Sequence, residues 1–481
     1  MRRLARLSTY SKLTGVFEAN KISPSYVDVA ILGGGFSGLA AAKEIVSANK
    51  SVMVIEATSR VGGRVQDGRW SDGAVAQLGA QFVGPSQNSV LRLGKELGVD
   101  FIKTYTNGSS LVRFNRKVLS SDDLSASSFP LAQDVLQELA ATVTNLDSMA
   151  SSIDLDKPWS HPKAKEWDSV SVSTWLQNNV NSIEVRKIIA LLAGHAATEE
   201  PESLSFLSII TAVKASGNAT NPGSIAQNVD ISGGAQDSLC KGGCQQIALK
   251  LADLLGPEMI MLNSAVNLVE TTEHGYTIFT NGGTVCSKKV ILTMSPTMSG
   301  RILFSPPMPA SRDQLTQRVP MGLVTKVQVR YSSPWWRKNG FSGLSISDTG
   351  LLSSTVDNSP QNGSFGVLLG FIVAEATQGL SEMSDAEMKS AIVEDLVELY
   401  GPKARNTTEV IVYQWGNEEY VRGGYASYFP PTVYSRYGEH LAKPVGGIHF
   451  AGVATSKYWR GHMDGAISAG ERAAKEVLQA L

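Results

Sequence analysis

Residues 27–64, VDVAILGGGFSGLAAAKEIVSANKSVMVIEATSRVGGR, constrain this chain more than any other stretch. The run opens with the short apolar segment Val27-Asp28-Val29-Ala30-Ile31-Leu32, which reads as a buried parallel strand. It stops at Gly33-Gly34-Gly35-Phe36-Ser37-Gly38, with glycines at the three fixed positions of G-x-G-x-x-G. Gly33 permits a tight turn, Gly35 lets backbone approach a pyrophosphate, and Gly38 lets the following helix pack close to the strand. That Ala-rich helix, 38–48, points its first amides at the phosphates. A second strand, 51–55, ends on Glu56, where an acid about 20 residues past the glycines holds an adenosine ribose hydroxyl. A lone glycine fingerprint could be an ordinary turn. Strand, turn, helix, strand and acid arriving in order point to a dinucleotide.

The next residues, Arg60-Val61-Gly62-Gly63-Arg64, form a second glycine turn flanked by two cations. Two arginines beside a pyrophosphate suit a tightly held prosthetic group, and otherwise read as a solvated basic loop. The run resembles the R-x-G-G-R segment of the flavin amine oxidase superfamily, which implies FAD rather than NAD.

Length and composition narrow the remaining classes. At 481 residues the chain exceeds one simple core, so two domains are expected. Hydrophobic residues at 42% and charged residues at 18% fit a globular enzyme. A net charge of -1 leaves no basic footprint for nucleic acid and no polybasic membrane patch. No apolar run is long enough to cross a bilayer. Cys240, Cys244 and Cys286 are too few for a disulfide framework, which favours a reduced, intracellular and cytoplasmic setting. Cys240 and Cys244 lack the further ligands that a metal site needs, so no metal is expected. The N-terminal MRRLARLSTYSKLTGVF is basic and acid-free, which is compatible with mitochondrial targeting.

Along the chain, Gly79-Ala80-Gln81 opens a glycine-rich loop before a helix at 90–97. Residues 100–225 read as mostly helical, with amphipathic stretches at 131–149 and 183–192. A helix at 244–255 and strands at 259–262, 265–269, 276–279 and 289–294 follow. Strand signals dominate again from Ser305, with a helix at 385–400. The chain closes with a strand ending at Gly452 and a helix from Met463, whose Ala466, Gly470, Ala473 and Val477 form a small or apolar face. That helix N-terminus would set partial positive charge where a reduced flavin is negative. The expected fold is α/β, a Rossmann-like FAD-binding domain interleaved with an α+β substrate domain. After an extension at 1–25, the FAD-binding parts are 26–99, 226–300 and 436–481, and the substrate parts are 100–225 and 301–435.

Three separated stretches resemble the monoamine oxidases: LGAQFVGPSQNSVLRLGKELGV, RVPMGLVTKVQVRY and FAGVATSKYWRGHMDGAISAGERAAKEVL. The resemblance covers nearly the whole chain from Val27 and implies a two-domain, FAD-dependent oxidation of an amine to an imine, with dioxygen yielding hydrogen peroxide. It places Lys326 where the family keeps a lysine that bridges through water to flavin N5. From pattern alone, Lys326 shares a face with Gln328 and Arg330, as on a solvated strand. Tyr425 matches one of two tyrosines that sandwich the amine, and Trp415 a tryptophan near the flavin ring; aromatics before Phe429-Pro430-Pro431 could equally be core. The cofactor contacts assigned are Gly33, Gly35, Gly38, Glu56, Arg64, Gly79, Ala80, Val266, Trp415, Gly452 and Met463.

The chain departs from the family in three places. Gly424 stands where the mitochondrial enzymes carry a flavin-bonded cysteine, so FAD here is expected to be non-covalent. His462 replaces the second tyrosine, which bears on substrate range, since histidine is smaller and titrates near neutrality. Val453-Ala454 replaces a frequent Thr-Glu pair. The chain also ends with the flavin helix, without the membrane-anchoring tail, so a soluble protein is expected. The reading is oxidative deamination of a primary amine at Lys326, Tyr425 and His462, with the amine and dioxygen as partners and a homodimer compatible with the family. An L-amino-acid oxidase would need a cation such as Arg422 or Arg460, and a polyamine oxidase acids such as Glu418 and Glu419. A desaturase of the superfamily, or a flavoprotein scaffold without catalysis, are the further alternatives.

Overall fold

The computed structural model of the chain describes residues 25–122, 129 and 131–481. The N-terminal stretch read for targeting lies outside the described residues. Two large sheets carry the architecture. The first places Ser25–Leu32 between Val52–Ile55 and the long strand Gly283–Leu292, parallel to both. Ile260–Met261 extends one edge. On the other side Gly275–Thr280 and Val266–Thr272 form an antiparallel ribbon that ends on Leu303–Ser305. Ile448–Phe450 joins the C-terminal end of the long strand, bringing the last part of the chain back to the first. Val29, Ala30, Ile31 and Leu32 are wholly buried, as a strand covered on both faces requires.

The helix Phe36–Ser47 packs on this sheet and is crossed closely by the last helix, Met463–Ala480. The close approach depends on Gly470, where a Cβ would overlap the carbonyl of Ser37. Gly470 and Ala473 thus pack toward that helix, and Ala466 lines the cavity described below.

The second sheet has seven strands, in the order Glu409–Gln414, Val324–Tyr331, Gly366–Val373, Ser354–Asp357, Phe341–Ser347, Ser109–Phe114 and Lys117–Ser121. Its last two strands qualify the mostly helical reading of residues 100–225 at its start, while helices dominate the rest of that range. Ser109–Phe114 alternates too little to announce a strand, because five of its six residues are buried. The helices follow afterwards, including Gln133–Ser151 and Ile183–Ala197, around a core of Trp167, Trp175 and Phe206. An ion pair, Arg113 to Asp395 at 2.7 Å, is buried between this sheet and the helix Asp385–Tyr400.

The cysteines also need correcting: Cys240 and Cys244 are joined as a disulfide, and Cys286 is free. The intervening Lys241-Gly242-Gly243 turn, with both glycines at positive φ, folds the chain back so that the two Cα atoms lie 5.0 Å apart. Among the described residues no helix is long and apolar enough to cross a membrane.

Candidate active site

A cavity of about 780 Å³ is lined by segments from both sheets and from the helical region. At one end the two glycine turns face each other: Gly62 donates to the carbonyl of Gly34 at 2.9 Å, and Gly35 and Gly62 form an isolated bridge. Gly33 and Gly35 line the cavity. Gly38 does not; a Cβ there would overlap the Gly33 carbonyl, so its role is to let the helix start against the turn. Glu56 is buried at the end of its strand, with Oε2 accepting from the Gly34 amide at 2.7 Å and Oε1 from Thr58. Each oxygen keeps accepting capacity for a hydroxyl.

Two helices begin on this cavity without a side-chain cap, Phe36–Ser47 after Gly35 and Met463–Ala480 after His462. Their first amides are free to meet negative charge. Arg60 and Arg64 line the same space. Burial pulls the Arg64 guanidinium down to about 10, and its Nη1 donates to the Tyr425 carbonyl at 2.7 Å. Two uncapped helix N-termini, two arginines and an exposed glycine backbone fit a dianionic pyrophosphate. Gly452, whose amide donates to Ser37 Oγ at 2.9 Å, lines this part together with Val266 and Met463.

Lys326 overturns the solvated-strand reading. Its strand is second from the sheet edge, between Gly366–Val373 and Glu409–Gln414, and the face it shares with Gln328 is covered by the segment around Gln77 and Gly79. Lys326 is only 4% exposed and Gln328 1%. Nζ donates to the Gly79 carbonyl at 2.7 Å and to Gln81 Oε1 at 2.5 Å, while Asn358 fixes the Gln81 amide at 2.9 Å. Desolvation draws the Lys326 ammonium down to about 7, with the Asp67 charge opposing, and burial pushes Asp67 itself up to about 6. A neutral lysine amine has two hydrogens and one lone pair. Both hydrogens are committed here, and the lone pair is left as an acceptor.

Tyr425 lies beside Phe371, with ring centroids 5.8 Å apart, and beside His195 at 6.3 Å. Its amide donates to Thr198 Oγ1 at 3.1 Å, and burial raises its hydroxyl far above the ordinary tyrosine range. Trp415 is buried, donates from Nε1 to the Leu78 carbonyl at 3.0 Å and meets Tyr413 edge-on at 5.1 Å. His462 ends the approach to the last helix, 5.0 Å from the Trp459 ring, and desolvation pulls its imidazole down to about 4. Lys326, Tyr425, His462 and Trp415 share the cavity lining with Gly79 and Ala80.

The alternative recognition groups are also at this cavity. Arg460 is engaged, donating to Tyr434 OH at 2.8 Å, whereas Arg422 is exposed. Glu418 accepts a hydrogen bond from Tyr413, and Glu419 is exposed. Sequence reasoning missed His195, Phe371, Gln81 and Asp67. Gln81 lay within a quoted motif, but no periodicity marks the other three, which distant strands and helices bring together.

The family described as flavin containing amine oxidoreductase matches residues 36–478. A probable flavin-containing monoamine oxidase A of Dictyostelium discoideum is 36% identical over 460 residues, covering 94% of this chain and 98% of that one. The flavin-containing amine oxidase B of Sus scrofa is 33% identical, covering 95% and 87%. Among solved structures, the cyclohexylamine oxidase of Brevibacterium oxydans superimposes with a TM-score of 0.88 at 30% identity, covering 94% of this chain and 99% of that one. A putrescine oxidase with putrescine bound gives 0.88 at 33% identity, with the same coverage.

Proposed function

Because the chain belongs to the flavin containing amine oxidoreductases, we propose that Lys326, Tyr425 and His462 form the amine-oxidising centre of an FAD-dependent oxidative deaminase. The observation that carries this reading is Lys326, a desolvated lysine facing the same cavity as Tyr425. Gly33, Gly35, Glu56, Arg64, Gly79, Ala80, Val266, Trp415, Gly452 and Met463 would hold the cofactor, in a division of the chain into the FAD-binding and substrate parts set out from sequence. FAD, when bound, supplies the hydride acceptor that converts an amine to an imine, and dioxygen reoxidises it with release of hydrogen peroxide. Gly424 has no thiol to offer, so the cofactor is held without a covalent bond.

The residues orient, desolvate and manage protons. Tyr425, Phe371 and His462 give the amine a surface from which water is excluded, and the substrate enters as the free base, since an ammonium has no lone pair to release a hydride. Rate therefore rises with pH as the amine deprotonates. Lys326, holding its hydrogens on Gly79 and Gln81, presents its lone pair to a water and fixes that water's orientation. The imine then hydrolyses to an aldehyde or ketone and ammonia.

A single primary amine fits better than an amino acid, because Arg460 is already paired and Arg422 lies exposed. Peroxide and ammonia released in equal amounts from a primary amine test the reading. A Tyr425→Leu variant should keep its flavin spectrum and lose about a hundredfold in kcat/KM. Unchanged turnover in that variant would remove Tyr425 from the centre.

A further inference from the structure

His195 sits in the last turn of the helix Ile183–Ala197 and lines the cavity beside Tyr425 and Phe371, its ring 6.3 and 5.9 Å from theirs. Its tautomer follows from its neighbour. Ser353 Oγ gives its one proton to the Phe371 carbonyl at 2.9 Å, so in the 3.2 Å contact with His195 Nδ1 the proton belongs to the histidine. Nε2 then carries a lone pair. No donor among the described residues reaches it, and it is not one of the fully enclosed polar atoms. Ser353 lies outside the lining, and the two ring nitrogens diverge, so Nε2 is turned to the cavity. A histidine that served only to fill the core would have both nitrogens partnered. Burial alone draws this imidazole down to about 4, with no carboxylate contributing.

We propose that His195 is a specificity-determining residue whose Nε2 accepts a hydrogen bond from a hydroxyl group carried by the amine substrate. The proposal rests on the amine-oxidase reading. A second ammonium would do the job poorly, since it would be buried against Phe371 and Tyr425 with no anion acting at His195. A hydroxyl supplies the proton without a charge and leaves no polar group unpaired. The substrate class is therefore an amine bearing a hydroxyl, oxidised in preference to its deoxy counterpart.

The test uses matched amines in two sets, with the hydroxyl moved along the carbon chain. Primary amines report kcat and KM. Amines without an α-hydrogen, which bind and are not oxidised, report Kd through the flavin absorbance of the holoprotein. In the wild type, one hydroxyl position should bind up to about tenfold more tightly than the deoxy probe, the range of a neutral hydrogen bond. His195→Leu should bring that ratio to one, chiefly through KM, and His195→Gln, which keeps an acceptor, should restore it. Flavin spectra and circular dichroism identify any variant that fails to fold, and the wild-type ratio decides in that event. A ratio of one at every position in the wild type, or an equal ratio in His195→Leu, overturns the proposal while oxidation of plain amines leaves the enzyme reading intact. Absence of flavin bleaching by any primary amine strikes the enzyme reading instead, and the Kd ratio still decides the role of His195.

Discussion

Replacing Lys326 by methionine isolates the cost of burying an amine. The fall from the ordinary lysine value of 10.5 to about 7 corresponds to about 5 kcal/mol of preference for the neutral form. At pH 7 and below, folding carries that whole cost. Between pH 7 and 10.5 the unfolded chain binds a proton that the folded chain does not, so wild-type stability rises with pH across the window. Methionine has similar length and does not titrate. It leaves the Gly79 carbonyl and Gln81 Oε1 short of a donor, at about 1–3 kcal/mol each, but that loss is independent of pH. The stability of the variant relative to wild type should therefore fall by about 2 kcal/mol from pH 7 to pH 9. Denaturant unfolding of both proteins at pH 7, 8 and 9, in the same excess of FAD, measures the slope. A difference that stays constant over this range refutes a lysine neutralised by burial, whatever the variant does to turnover.

Gly38→Ala should abolish stable FAD retention, because the added carbon overlaps the Gly33 carbonyl; flavin co-eluting with the variant in gel filtration at wild-type stoichiometry contradicts this. His462→Phe should be less sensitive to acid than wild type. The folded imidazole titrates at about 4 and the unfolded one at 6.5, so wild-type stability from this group falls as pH drops through that window, by about 3 kcal/mol. Thermal midpoints at pH 7 and pH 5 check it, with buried Asp67 and Asp464, both raised to about 6, contributing the opposite slope in both proteins. Asp395→Asn removes the buried carboxylate facing Arg113 and leaves that cation only the exposed Glu398 at 3.2 Å, so it should cost about 3 kcal/mol in urea unfolding.

The glycine-turn end of the cavity was legible because its signals are local. Gly33, Gly35, Gly38 and Glu56 lie within one strand–helix–strand unit, and each answers a steric or hydrogen-bonding need of that unit. Lys326 was legible only by resemblance. The alternation of Lys326, Gln328 and Arg330 is that of a wet face, and only the covering loop around Gly79, nearly 250 residues earlier, dries it. His195 gave no signal at all. At the end of an amphipathic helix it reads as a residue suited to the helix C-terminus, and it becomes a cavity group through Phe371 and Tyr425, which arrive from elsewhere in the chain. The Cys240–Cys244 disulfide escaped because cysteine counting addresses frameworks, whereas this pairing is set by two left-handed glycines in one turn.

The central claim is that this cavity holds FAD and presents an amine to it at Lys326, Tyr425 and His462. An anaerobic titration of the purified yellow protein with a panel of amines, followed by flavin absorbance, tests it most directly. The account predicts bleaching by primary amines, and not by amino acids or polyamines, with the colour and one equivalent of peroxide returning on admission of air. Bleaching by an amino acid or polyamine alone would contradict the substrate assignment, and protein that cannot be loaded with FAD would contradict the site itself.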